Sequence, residues 1–375
     1  MSGLKSIIIL GLIVIVIGLP FAFKGEETIV GKADDVVVVI TPHNEAIRFE
    51  FERGFRQWYE AQTGRTVDVD WRVIGGTNEI VRYVNSEYEN AFRNYWTDSL
   101  GMEWTPEVRQ AFSNRKLELP DDPDEDEMHH KARRAFLASD VSIDLDVFFG
   151  GGSYDFIKQA QVGTLVPWRS GEELAAQFPD EVFPRKFAGE VFWDSEGRWI
   201  GAVLSSFGII YNVDAMKRLG MEEPPSRWED LGDPRFLGEV ALADPTKSGS
   251  ITKAFEMIVQ GCMDARVDEL IEEGLSQDEA ESQGVPAGWM DAMKLIQRIS
   301  ANARYFTDSA TKGPADVASG DCAVGMSIDF YGRFQAEVIL ANGGGDRLRY
   351  VTPEGASSLS ADPIGVFRGS PNREA

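Results

Sequence analysis

Short, wholly apolar runs alternate along this chain with longer stretches whose apolar residues recur every three or four positions. The first run, Val36 to Ile40, suits a strand covered on both faces. From Glu45 the spacing of Ile47, Phe51, Phe55 and Trp58 predicts a helix with these residues on its apolar face, closing near Gly64. Val67 to Val73 alternates and predicts a second strand, and Gly75-Gly76-Thr77 then turns into another helix. This βαβα order predicts a parallel sheet, with ligands at the carboxyl ends of its strands. Ile143 to Phe149 predicts a further strand, followed directly by Gly150-Gly151-Gly152-Ser153. Glycines there let backbone approach a ligand closely, and a tight turn without cargo fits them equally.

The pattern changes between these segments. Glu87 to Leu119 carries scattered aromatics with no clear period, and Asp121 to Glu127 is an acidic run. His129-His130 and a basic helix start, Lys131 to Arg134, follow. Adjacent histidines on a helix point apart and lack the i,i+4 spacing of a chelate, so a solvated insertion is expected there rather than a metal site.

The second half repeats the alternation. In Trp199 to Asn212 two apolar segments are interrupted by Ser205-Ser206, which fits a crossing between domains or ordinary strand residues. The stretch Gly238 to Val259 is the most informative. Val240 and Leu242 mark a buried strand, Asp244-Pro245 stops it, and Thr246 to Ser250 forms a polar turn. Ile251, Ala254, Phe255 and Ile258 then have helical spacing. A strand thus delivers a hydroxyl-rich loop to a helix start, where unpaired N–H groups and the dipole favour an anion. A plain N-cap role for Ser248 or Ser250 fits the same residues. Beyond it come a helix around Trp289 to Ile299, an apolar strand from Cys322 to Ile328, and Asp329-Phe330-Tyr331 at that strand's end. Phe330 and Tyr331 also fit a core role.

At 375 residues and 43% hydrophobic, the chain exceeds one ordinary core and suggests two domains. Its net charge of −24 argues against nucleic acid or an anionic membrane surface as partner. Lys5 followed by the apolar run Ile7 to Phe23 is a charged start and long hydrophobic segment, so export is expected. A cleaved signal peptide and an uncleaved anchor both fit it. Cys262 and Cys322, the only cysteines, are expected to be separate buried thiols. The motifs of α/β hydrolases (GxSxG), P-loop proteins and zinc hydrolases (HExxH) do not occur.

Taken together, VITPHNEAI at 39–47, DVFFGGGS at 146–153, WIGAVLSSFGIIYN at 199–212, ALADPTKSGS at 241–250 and SGDCAVGMSIDFYGRF at 319–334 resemble the extracellular solute-binding proteins of ABC transporters, and especially their ferric-binding branch. The resemblance spans residues 36–375. It implies the type II periplasmic-binding-protein fold, two α/β lobes closing on a ligand. The organisation it implies is a signal peptide or anchor plus linker at 1–35, a first lobe at 36–205 with an acidic insertion at about 86–140, a second lobe at 206–350, and a return to the first lobe at 351–375. Pro363 to Phe367 looks like the returning strand and Ser370-Pro371-Asn372 like a helix start. Family members continue with helices packed on the first lobe, so that lobe is expected to lack these helices and to leave apolar sheet exposed around Val36 to Ile40 and Ile364 to Phe367, with the chain end at Ala375 read as a truncation.

Carried over residue by residue, the resemblance implies a ligand site built from His43, Asn44, Gly151, Gly152, Ser153, Ser205, Ser206, Ser248, Gly249, Ser250, Asp308, Asp329 and Tyr331. His43 and Tyr331 would be metal ligands if the cargo is ferric. Phe330 stands where the branch has a tyrosine, Gly151 where it has an acidic ligand, and Asp308 where it has a neutral amide. Phenylalanine has no oxygen to offer a hard cation. The expected cargo is therefore either a ferric ion held with an anion or chelator, or a small organic or phosphorylated anion. No resident cofactor is implied. The expected partner is an ABC permease, with the protein itself a monomer in the periplasm or outside the cell. The alternatives are an α/β hydrolase or transferase, whose triad would have to use His43, and a membrane-tethered ligand-sensing domain.

Overall fold

A computed structural model describes residues 33–373 of the chain, apart from 188 and 356. The export segment Ile7 to Phe23 and its proposed anchor role lie outside the described residues. Among those described, no helix is long and apolar enough to cross a membrane.

The first lobe starts with β1 (Asp35–Ile40), α1 (Glu45–Thr63), β2 (Val67–Arg72) and α2 (Thr77–Asn94). It continues through α3 (Pro106–Ala111), α4 (Met128–Ala138), β3 (Val147–Phe149), α5 (Ser153–Val162), β4 (Leu165–Val166) and α6 (Gly171–Gln177). A small hairpin of β5 (Lys186–Phe187) and β6 (Glu190–Val191) follows, and then β7 (Trp199–Gly201). The chain enters the second lobe with β8 (Ser205–Asn212), α7 (Val213–Arg218) and β9 (Val240–Ala243). Two long helices, α8 (Gly249–Glu272) and α9 (Gln277–Asn302), pack side by side. Next come β10 (Ala303–Thr307), α10 (Lys312–Ser319), β11 (Val324–Ile328), α11 (Asp329–Ala341) and β12 (Leu348–Val351). Finally β13 (Leu359–Ser360) leads into β14 (Pro363–Phe367), which returns to the first lobe.

Each lobe holds one mixed sheet. In the first the strand order is β2-β1-β3-β14-β4, with β7 also on β14; in the second it is β10-β9-β11-β8-β12, with β13 on β8. The parallel part follows the expected alternation: β1 runs parallel to β2 and β3, and β9 parallel to β10 and β11. The chain crosses between lobes twice, at 202–204 and 361–362, and these crossings are themselves paired, Val203 N–H donating to Ala361 O and Ala202 N–H to Asp362 O. Two short, hydrogen-bonded connections thus link the lobes side by side.

The cores match the two-lobe reading. One cluster joins Ile40, Phe148, Trp199 and Phe367 with Phe92, Trp96, Phe112 and Phe136; another joins Ile209, Leu242, Ile258, Leu295 and Met326. Several expectations change. The stretch 87–119, expected to be irregular, is largely helical, because Phe92, Trp96 and Phe112 are core residues. The strand expected from Ile143 shortens to Val147–Phe149, with Asp144 just before it at a φ of 56°. On α1 the fully buried residue is Tyr59, while Trp58 is 58% exposed, since spacing gives a period and not the face that is covered. The β1 and β14 strands are not bare. Val37, Val39, Ile40 and Phe367 are buried while Val36, Val38, Ile364 and Val366 are half-buried, and fully exposed apolar side chains lie further out, at Phe49 and Trp58 of α1. Residues 371–373 form a turn. Both cysteines are free, Cys322 buried and Cys262 half-buried.

Candidate functional site

In an α/β sheet the strands end where the following helices begin, so the helix N-termini collect along one edge of each lobe. Here the two edges face each other. The N-termini of α2 and α5 in the first lobe and of α8 and α10 in the second border a common cleft, and none is closed by a side-chain cap. Gly76, Gly152, Ser248 and Thr311 occupy the four cap positions. Ser248 therefore sits at an N-cap without acting as one. Thr77, Ser248, Ser250, Ser309 and Thr311 bring hydroxyls to the inner cavity. Ser153 Oγ, on the first residue of α5, is buried without any hydrogen-bond partner and lines the adjoining outer cavity of about 330 Å³. The helix dipoles, the starts of α5 and α8 and the hydroxyls of Thr77, Ser153, Ser248 and Ser250 together make a place for an anion, whereas the Ser309 and Thr311 hydroxyls bond each other.

The lobes are closed. Asn78 N–H of α2 donates to Lys247 O at 3.2 Å, Arg82 reaches Thr246 O, and Lys253 of α8 binds Glu190 of β6 at 2.6 Å. Glycine is required at this seam. A Cβ on Gly76 would lie 2.4 Å from Lys247 O of the opposite lobe, and within the first lobe Gly151, with a φ of 121°, would set a Cβ 2.5 Å from Thr77 Cγ2.

At the back of the cleft His43 is 2% exposed and bridges both lobes. Its Nδ1 lies 3.1 Å from the Tyr331 hydroxyl of the second lobe. Its Nε2 lies 3.0 Å from Asp362 Oδ2 at the hinge, close enough for an ion pair but off the line of a hydrogen bond. Asp362 has a φ of 43° and accepts the Gly151 N–H at 2.9 Å through Oδ1. Burial, with the Asp362 charge adding to it, pushes the Tyr331 phenol far above its usual range, so this hydroxyl keeps its proton. Among the described residues no group of three or more His, Cys, Asp or Glu side chains is gathered as a metal ion would need. His129 instead contacts Glu107 at 3.1 Å, and His130 Nδ1 accepts the Glu127 N–H at the start of α4.

Of the residues expected at the site, the structure brings together His43, Gly151, Ser248, Ser250 and Tyr331 on the inner cavity, and Gly151, Gly152, Ser153, Gly249 and Ser250 on the outer one. Others serve elsewhere. Asn44 caps α1 by accepting from Ile47 N–H. Ser205 donates to Ser360 O and Ser206 to Asp329 Oδ2, both beside the hinge. Asp308 is exposed and pairs with Lys312, whose hydrogen bond holds its carboxyl below the usual range. Sequence reasoning missed Gly76, Thr77, Asp155, Ser309, Thr311 and Asp362, all of which line the cleft. The uncapped Gly76-Thr77 helix start carried the same signal as Ser248 to Ser250, whereas Asp362 before Pro363 reads locally as a turn and nothing more.

This geometry can be set beside known proteins. A curated relative, an uncharacterized protein of Haemophilus influenzae, is 23% identical over 230 residues, 60% of this chain and 54% of the relative. The chain thus spans about half the length of the curated relative it matches. Among solved structures, the periplasmic binding protein AfuA from Actinobacillus pleuropneumoniae is similar with a TM-score of 0.57 and 16% identity, over 91% of this chain and 76% of that one. The ferric ion-binding protein A of Pasteurella haemolytica gives a TM-score of 0.48 and 12% identity over 90% and 75% of the two chains. The family model for bacterial extracellular solute-binding proteins matches residues 139–374, from the end of α4 through β14. The chain belongs to the bacterial extracellular solute-binding protein family.

Proposed function

We propose that this protein is the capture component of an ABC importer, working in the periplasm and delivering a small phosphorylated organic solute to a membrane permease. The observation that carries the reading is the meeting of the α5 and α8 N-termini, one from each lobe and neither with a side-chain cap, beside an orphaned Ser153 hydroxyl. A net charge of −24 offers no attraction to an anion at long range, so the selectivity falls to these local N–H groups and hydroxyls. The similar fold of AfuA, whose structure holds exogenous fructose-6-phosphate, is consistent with this.

The ferric alternative finds less support. Both ring nitrogens of His43 already face Tyr331 and Asp362, and Phe330 offers no oxygen beside Tyr331. A ferric ion held by both His43 Nδ1 and the Tyr331 oxygen would have to replace their mutual contact. Membership in a solute-binding family favours capture over catalysis, and closure of the lobes then does the work of excluding water from the bound solute.

Calorimetry on the full chain tests the reading with fructose 6-phosphate, fructose and a ferric citrate solution. Binding of the phosphate ester alone is the expected outcome. Equal affinity for fructose, or binding of ferric citrate with none of the ester, would overturn it.

A further inference from the structure

The anion-binding helix ends account for only one part of the cleft. The outer cavity continues past Ser153 and is lined by Tyr154, Asp155, Lys158, Glu190, Lys253 and Glu256, among others. Asp155 differs from its charged neighbours. Lys253 is paired with Glu190 at 2.6 Å and approaches Glu256 at 3.6 Å, and the Lys158 ammonium sits 4.8 Å over the Tyr154 ring. The Asp155 side chain has no hydrogen bond or ion pair with the protein, although the residue is only 9% exposed. Its carboxylate points across the seam, with Oδ2 lying 3.5 Å from where a Gly249 side chain would begin.

A mostly buried carboxylate that opens on the outer cavity and has no donor from the protein is satisfied there either by water or by a donor on the ligand that displaces it. We propose that Asp155 is a specificity-determining residue that accepts a hydrogen bond from a hydroxyl or ammonium group on the organic part of the solute. This deepens the reading of the cleft as an organic-phosphate site and rests on it. The helix ends hold the phosphate and Asp155 selects what is attached to it. Inorganic phosphate and simple alkyl phosphates, which carry no such donor, leave the carboxylate unpaired and are discriminated against. The groups facing Asp155 agree with this assignment. Burial pushes its carboxyl up to about 6, Lys158 on the same helix opposes the shift, and Glu256 of α8 adds to it. Near neutral pH the group is an acceptor that only a donor can satisfy.

The experiment is calorimetry on the full chain and on the Asp155→Ala and Asp155→Asn variants. The probes are inorganic phosphate, methyl phosphate, fructose 6-phosphate as the hydroxyl donor and phosphoethanolamine as the ammonium donor. Removing the carboxylate is expected to weaken at least one donor-bearing ester about tenfold or more while changing methyl phosphate by less than about twofold. Which ester responds tells the source: loss confined to phosphoethanolamine points to an ammonium, and loss on fructose 6-phosphate to a hydroxyl. Thermal melts of the variants report separately on folding. A uniform loss across all four probes, or no loss on any, overturns the proposal while leaving the phosphate site standing. If the unsubstituted chain binds none of the probes, the organic-phosphate reading and this inference fall together.

Discussion

The cleft has two kinds of wall. At the back, His43, Tyr331, Asp362 and the Gly151 N–H are engaged with one another, and they join first lobe, second lobe and hinge in one chain of contacts. Toward the opening, the Ser153 hydroxyl is orphaned, the Asp155 carboxylate is unpaired and the helix starts are uncapped. Polar groups satisfied by protein hold a conformation, whereas polar groups left buried and unsatisfied hold a place for something else. The back wall therefore reads as the closure contact and the front wall as the receptor.

That division breaks first at the seam itself. Gly76→Ala sets a Cβ 2.4 Å from Lys247 O of the opposite lobe. The lobes should then fail to close, and ligand affinity should fall by about 3 kcal/mol, because a main-chain carbonyl cannot move aside cheaply. Calorimetry with small-angle scattering checks this, and a variant that binds and closes normally would show that the seam is looser than described.

A smaller effect separates backbone from side chain on the front wall. Ser250 stands second in α8, where proline is tolerated but its missing N–H is felt by an anion. Ser250→Pro should cost ~1–3 kcal/mol of phosphate-ester affinity, and Ser250→Ala should cost less than the proline. Equal losses for the two variants would place the anion on the hydroxyl alone.

On the back wall, Tyr331→Phe removes the 3.1 Å contact with His43. It should shift the lobes toward the open state by about 1 kcal/mol, read by scattering without ligand, and weaken every solute alike. Selective loss of one solute would move Tyr331 to the receptor side.

A remaining effect is on pH. Asp155 titrates near 6 in the closed cleft against 3.8 for a solvated carboxyl, so the closed form keeps a proton that the open form has released. Closure without ligand should weaken as pH rises from about 4 to about 6 and stay level above that. Asp155→Asn should flatten this part of the profile, and an unchanged profile in the variant would remove Asp155 from the linkage.

Much of this was legible because it is local. The strand, polar turn and helix start from Val240 to Ser250 can be read from Pro245, Gly249 and the apolar spacing that follows. His43 and Tyr331 stand just after strand ends, where open α/β sheets place their ligands. What escaped depends on distant contacts. Asp362 joins His43 only because β14 returns to the first-lobe sheet, and Asp155 looks like an ordinary acidic residue in a first turn until α8 closes over it. The aromatic residues 92–112 looked patternless because they pack among helices of one lobe rather than along one face of a single helix.

The most direct measurement is native mass spectrometry of the purified full chain together with whatever solute it carries, repeated on Ser250→Pro. The account predicts a phosphorus-containing organic adduct on the unsubstituted chain that is lost or sharply reduced on the variant. An iron adduct, or a phosphate-free solute that the variant retains, would contradict it.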